Sequence, residues 1–322
     1  MTVRSGCALS IVFALSTLLA GCSGVAGPSE QSTAATSEQQ ALAEAAYVRA
    51  GQARMRGDAA GAAGYFRDAA ELGHADAAYE LGLAYATGDG VPENHDLSAY
   101  WINHAADRGS PGAQFLVGAS LYGGIGVERD APRGLAFLRA AAAQGHPKAQ
   151  FMLGQAYADG VGVPANPQWA AHWYGKAAHA GHAQAQYALG VMFASGFGVP
   201  KSPRRAYRWF SLAALSGDGD AARLRDRMAS LIDPDTRAAI DLRNAGFVAR
   251  ESRGYDDPPT VMYVQMRLRA LGYDVGPVDG IAGPRTRSAI EAYQRAQRTT
   301  ADGKLTRSLV DDLLKSSAAG GA

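Results

Sequence analysis

AQFMLGQAYADGVGVPANPQWAAHWYGKAAHAGHAQ, residues 149–184, is one period of a pattern that runs through the middle of the chain. Phe151, Leu153, Gly154 and Tyr157 are apolar or small at helical spacing, which predicts a first helix, A. Gly160-Val161-Gly162-Val163 ends it, because glycine reaches the left-handed backbone region that closes helices. Asn166-Pro167 opens a second helix, B. Asparagine is a strong N-cap residue, and proline is harmless at the first helical position. Trp173 and Ala177-Ala178 ride on helix B, and Gly181 closes the unit.

The unit recurs every 36 residues. Gly82, Gly118, Gly154 and Gly190 form one series, and Gly88, Gly124, Gly160 and Gly196 a second. Gly90, Gly126, Gly162 and Gly198 form a third, and Gly73, Gly109, Gly145, Gly181 and Gly217 a fourth. Asn94, Asp130, Asn166 and Ser202 share one position and are all N-cap types. Self-similarity at this period means a solenoid of stacked helix pairs. A mid-helix glycine costs about 1 kcal/mol relative to alanine, so the first series points to close helix–helix approach. Trp101, Phe137, Trp173 and Trp209 occupy one position and are expected in the core. The series also explain why glycine is 39 of 322 residues.

The pattern A-x-x-x-L-G-x-x-Y, then G-x-G-V, then A-x-x-W-x-x-x-A-A-x-x-G, resembles the Sel-one-like repeat, a subclass of the tetratricopeptide repeat. Four full units cover residues 77–220. Residues 41–76 resemble a shorter first unit: Tyr65-Phe66, Ala69-Ala70 and Gly73 match, and the G-x-G-V loop is absent. Residues 221–247, with Leu224, Met228, Leu231 and Ile232, read as a closing cap. The resemblance implies an extended surface that holds other proteins and carries no built-in chemistry. Candidate partner contacts are helix-A positions that vary between units: Glu80, Leu83, Leu116, Met152 and Gln155.

After Asp256-Asp257-Pro258-Pro259, Val261, Val264, Leu268 and Leu271 mark one face of a helix that Gly272 ends. Gly283-Pro284 opens a second helix, with Ile290 and Tyr293 inward. Thr306 caps a third, carrying Leu309, Val310, Leu313 and Leu314. Leu271-Gly272-Tyr273, Gly276, Asp279-Gly280, Gly283, Thr286, Ala289-Ile290, Tyr293-Gln294 and Asp302-Gly303 resemble, in order and spacing, the helical peptidoglycan-binding domain. The resemblance covers residues 261–315 and implies wall binding. Its candidate contacts are Tyr273, Asp279, Gly280, Gly283, Arg285 and Thr286. Turn and cap chemistry is the competing reading of Asp279, Gly283 and Thr286. Arg298-Thr299-Thr300-Ala301 departs from the family, which shows Gly-Leu and an apolar residue there.

The N-terminus carries Arg4, then an apolar stretch from Ala8 to Leu19, the form of a secretory signal. Leu19-Ala20-Gly21-Cys22 resembles the bacterial lipobox, which implies acylation of Cys22, and Ser23 after it implies the outer membrane. The division expected is a lipoprotein signal (1–21), a flexible tether (22–38), the solenoid with caps (39–250), a linker (251–259), the wall-binding domain (260–316) and a flexible tail (317–322). The fold class expected is all-α, a solenoid followed by a three-helix domain. Lys and Arg number 31 against 30 Asp and Glu, a balance that argues against nucleic-acid binding.

His74, His146 and His182 share one position after a terminal glycine, where a turn role explains them. His179-Ala180-Gly181-His182 is broken by glycine, and no metal or other cofactor is expected. Tether, repeats and wall domain account for nearly every residue, so the chain reads as non-enzymatic. The expected partners are peptidoglycan, envelope proteins, and the bilayer through the acylated cysteine at the periplasmic face of the outer membrane. The alternatives are an accessory subunit of an envelope machine (polysaccharide export, secretion or motility) placed by wall binding, and an unseen cell-wall hydrolase.

Overall fold

The computed structural model of the chain describes residues 28–247, 249, 255 and 257–319. The expected signal, Cys22 and residues 23–27 lie outside the described residues, as do 248, 250–254, 256 and 320–322. Among the described residues there are fifteen helices and no strand. The fold is all-α, a repeat solenoid followed by a three-helix domain.

α1 (Pro28–Met55) and α2 (Ala59–Glu71) form an opening pair. Four repeat pairs follow: α3 (Ala75–Thr87) with α4 (His95–Asp107), and α5 (Pro111–Gly123) with α6 (Ala131–Ala143). Next come α7 (Pro147–Asp159) with α8 (Pro167–His179), and α9 (Ala183–Ser195) with α10 (Pro203–Leu215). α11 (Gly219–Ala229) and α12 (Pro234–Ala245) close the array. α13 (Pro258–Ala270), α14 (Pro284–Ala296) and α15 (Arg307–Ala319) build the C-terminal module. Two expected boundaries differ. The backbone is already helical from Pro28, inside the span read as tether. α13 begins at Pro258, inside the span read as linker, because Asp257 caps it through the Thr260 amide at 3.0 Å.

The repeat positions act as their chemistry requires. Asn94, Asp130, Asn166 and Ser202 accept the amides of Leu97, Arg133, Trp169 and Arg205 at 2.9, 3.0, 3.0 and 3.3 Å. Gly88, Gly124, Gly160 and Gly196 end the A helices in the left-handed region, at φ of 71° to 85°. His74, His146 and His182 are N-caps of the A helices. Their Nδ1 atoms accept the amides of Ala77, Ala149 and Ala185 at 3.1, 3.3 and 3.3 Å.

The mid-helix glycines sit where the two helices of a pair cross. A Cβ on Gly82, Gly118, Gly154 or Gly190 would lie 2.7, 3.0, 2.4 or 2.7 Å from Ile102, Leu138, Tyr174 or Phe210. Each partner is twenty residues on, at the same position of its B helix. That position fills the pair's interior in the second, third and fourth repeats, where Leu138, Tyr174 and Phe210 are buried, while Ile102 of the first is half-buried. Trp101, Phe137 and Trp173 are half-buried, and only Trp209 is fully buried. The three half-buried rings pack against core clusters at their rims, where a large ring bridges neighbouring units.

Candidate ligand-binding site

The loops of the C-terminal module are organised by glutamines. Gln265, buried on α13, accepts the amides of Asp279 and Gly280 at 3.1 and 2.9 Å through Oε1. Its Nε2 donates to Asp279 Oδ1, the Ile281 carbonyl and Thr286 Oγ1 at 3.1, 3.0 and 3.0 Å. Gln294 on α14 does the same for the second Asp-Gly. It accepts the Gly303 amide at 3.0 Å and donates to Asp302 Oδ1 at 3.0 Å. Both glycines have positive φ, 80° and 67°, which lets each turn present its amide to the buried glutamine.

This places the six expected wall contacts. Asp279, Gly280 and Thr286 are tied to Gln265, and Thr286 is buried with its hydroxyl donating to the Val275 carbonyl at 3.2 Å. A Cβ on Gly280 would lie 2.8 Å from the Pro258 carbonyl. Gly283 is the N-cap of α14. These four residues build the loop. Arg285 is exposed, with its stem over Gly276, whose carbonyl accepts from Arg269. Tyr273 is half-buried, edge-on to Tyr293 at 6.0 Å, so it packs in the module as well as facing solvent. Gln265 was missed in the sequence; its signal is a polar residue between Val261, Val264 and Leu268 that, like Gln294, precedes an Asp-Gly.

The module is docked on the solenoid. Tyr263 of α13 is 0% exposed, with its ring 4.4 Å from Trp169 and 5.8 Å from His172 of α8. Gly175 makes room for Pro259, since a Cβ there would lie 2.9 Å from it. Lys176 Nζ meets Asp257 Oδ2 at 2.9 Å, with side chains only 5% and 13% exposed. Burial pushes the Asp257 carboxyl up, but Lys176, His172 and the Thr260 amide together hold it below the usual carboxylate range. Arg205 of α10 donates to the Val278 carbonyl at 2.9 Å, and Arg267 to Gln168 at 3.4 Å. One hydrophobic core therefore runs from the last two repeats into the module.

His172 is the group most perturbed by this junction. It stacks on Trp169 at 4.2 Å and 4°, and its ring donates to the Pro259 carbonyl while Nδ1 has no partner. Burial, with Lys176 adding to it, pushes the imidazole down to about 3.

The five expected partner contacts do not form one site. Glu80 pairs with Arg54 at 2.8 Å, and with Leu83 it lines a groove against α2. Leu116 lines a second groove with Ile102, Val117 and Val127. Met152 packs on the core of the second and third repeats, and Gln155 is exposed. Among the described residues no cluster of His, Cys, Asp and Glu could hold a metal ion, and no helix is long and apolar enough to cross a membrane.

Stacked helix pairs with a small helical module docked on α8 define a repeat solenoid joined to a second helical domain. The chain carries four Sel1 repeats, matched at residues 75–110, 111–146, 147–182 and 183–218. Residues 257–313 match the family described as "Putative peptidoglycan binding domain". The crystal structure of a Sel1 repeat protein from Oxalobacter formigenes is similar, at 27% identity and a TM-score of 0.51, over 66% of this chain and 88% of that one. A protective antigen of uropathogenic Escherichia coli with an SLR fold, c5321, aligns over 93% of this chain and 65% of that one, at 24% identity and a TM-score of 0.48. Among curated proteins, a stretch of 40 residues is 55% identical to a Synechocystis protein described as "Putative OxPP cycle protein OpcA", so the match spans 12% of this chain and 8% of that relative.

Proposed function

We propose that this protein is a non-enzymatic, periplasm-facing outer-membrane lipoprotein that binds peptidoglycan through its C-terminal module and holds protein partners on its repeats. The observation that carries the reading is the module itself. Its Asp-Gly turns are built around Gln265 and Gln294, its helix α13 is docked on α8, and Arg285 is exposed with Tyr273 half-buried beside it. The family match over residues 257–313 supports peptidoglycan as the ligand, and Sel1 repeats support the scaffolding role. Partners fall on the first two repeats. There Tyr100 is 57% and Ile125 70% exposed, whereas the positions of α8 equivalent to Leu97, Tyr100 and His104 lie under the module. The lipid anchor rests on Leu19-Ala20-Gly21-Cys22 alone.

Two measurements test the reading. The full chain should co-sediment with purified sacculi and release no muropeptides; failure to sediment would remove the wall from the account, and release would make the protein a hydrolase. In cells, Cys22→Ser should shift the protein from the outer-membrane fraction to the soluble or unprocessed pool. Retention of that variant in a chain that no longer binds sacculi would refute the lipid anchor.

A further inference from the structure

Where the module meets α10, Gly175, His179, Trp209, Pro259, Met262 and Asp279 enclose a cleft of about 100 Å³ between two arginines, Arg205 and Arg208. Arg205 lies over the Phe193 ring at 5.3 Å and spends one nitrogen on the Val278 carbonyl and another on the Met262 sulfur, at 2.9 and 3.6 Å. Arg208 lies over the Trp209 ring at 5.0 Å, and its Nε is sealed from solvent without a hydrogen-bond partner. Among the described residues neither guanidinium has a carboxylate in ion-pair contact, although the Asp279 charge acts on Arg205 from across the cleft. Arg204 and Arg243 add further positive charge, and burial lowers the pKa of both cleft arginines. Asp279 is the acid of the cleft. Its Oδ1 is already held by Gln265 and the Ile281 amide.

Half-buried cations without a carboxylate in contact are costly unless an anion completes them. An arginine fork matches the planar geometry of a carboxylate. We propose that Arg208, backed by Arg205, is a subsite for the terminal carboxylate of a peptidoglycan stem peptide. The subsite is completed only when the module is docked on the solenoid. The proposal rests on the wall-binding reading and deepens it. The cleft is walled by Asp279, whose loop leads into the first turn of α14 and Arg285, so the repeats and the module would grip one ligand together. Its size suits a peptide end group, and Asp279 is placed to accept from the amide or ammonium behind that carboxylate.

The test uses the full chain and a soluble stem tetrapeptide, offered with a free C-terminus and as its C-terminal amide, with dissociation constants from calorimetry. The acid should bind about tenfold or more tighter than the amide, the weight of one charge-assisted hydrogen-bonded contact. Arg208→Gln should remove that preference, so that the acid and the amide bind alike. Arg208→Lys, which keeps the charge and loses the fork, should fall between. An unchanged acid preference in Arg208→Gln would overturn the subsite. So would an all-L peptide of equal length that binds as tightly as the stem peptide, which would redirect the cleft to protein C-termini. If wild-type protein sediments with sacculi but ignores the acid–amide difference, only the subsite falls. If it does not sediment at all, the wall-binding reading falls first.

Discussion

Arg298 is a residue in the wrong place for its own backbone. It follows α14 at φ 57°, the left-handed region where a side chain crowds the next carbonyl. Glycine would reach this region without that crowding; the chain must turn there to bring the Thr299 amide back to the Gln294 carbonyl at 3.0 Å. Arg298→Gly should therefore stabilise the protein by about 0.5–1 kcal/mol, read as a higher urea midpoint at constant slope. Gly154 is the opposite case. A Cβ there would lie 2.4 Å from the Tyr174 ring, so Gly154→Leu should cost about 3 kcal/mol or more by overpacking. A melting midpoint within a degree of the parent would show that the pair can spread freely. At this scale the sequence was legible wherever one residue type alone could do the job: the capping Asn, Asp and Ser, the left-handed glycines, the crossing glycines. It was less legible where the role is relational. Thr286, Asp279 and Gly280 carry the family pattern, yet what they touch is Gln265, fourteen residues before Asp279.

At the scale of the element, α8 has two jobs. It is the B helix of the third repeat and the floor on which α13 sits. Its Trp169, His172 and Lys176 occupy the positions of Leu97, Tyr100 and His104 in α4, so nothing in the repeat pattern separates a docked helix from a bare one. The distinguishing signal lies on α13. Met262, Tyr263 and Met266 are apolar on the side away from Val261, Val264 and Leu268, and all six are buried. A helix apolar around most of its girth has two interfaces to fill. Leu271, read as part of the core face, is instead 43% exposed beyond the last turn.

Two predictions follow from α8. The first concerns pH. The unfolded imidazole titrates near 6.5, and that of folded His172 at about 3. Above pH 6.5 both states are neutral and the full stability is present. Between those limits the unfolded chain takes a proton that the folded chain refuses, so stability falls by about 1.4 kcal/mol per pH unit as pH drops. Asp257, with its depressed pKa, loses stability in the same direction at lower pH. Denaturation at pH 7 and pH 5 should show a loss of about 2 kcal/mol in the wild type and a shallower loss in His172→Phe, which keeps the stack on Trp169. Equal slopes would mean that His172 takes a proton without leaving the fold. The second concerns Lys176→Met, which strands the buried Asp257 carboxylate and should cost about 3–5 kcal/mol. Because the pair ties two units together, this loss should appear as separate melting of module and repeats rather than as a uniform shift.

Across the whole molecule, the two parts were each legible as sequence families, but their union was not, because a repeat array and a small module each close a pattern of their own. The union is physical, a core that passes from Phe193 and Trp169 through Tyr263 to Ile290 and Leu313. It makes the reach of the wall module a property of the solenoid, and it has a spatial consequence. A chain ending at residue 256 would bare Trp169, His172 and Lys176 to water. Solenoid stability is a sum over units and their nearest neighbours, so the damage should stay near the wound. Amide hydrogen exchange should therefore speed up in α8 and α10, and to a lesser degree in α7 and α9, while α3 and α5 keep their protection. In the same truncated chain the imidazole of His172, no longer covered by Pro259 and Tyr263, should titrate closer to 6.5, and the acid-dependent loss of stability assigned to it should shrink. Exchange that rises evenly along all the repeats would show a single cooperative unit instead, with the module acting as a cap for the entire array. Exchange unchanged in α8 would show that the solenoid closes this face without α13, and that docking adds position rather than stability.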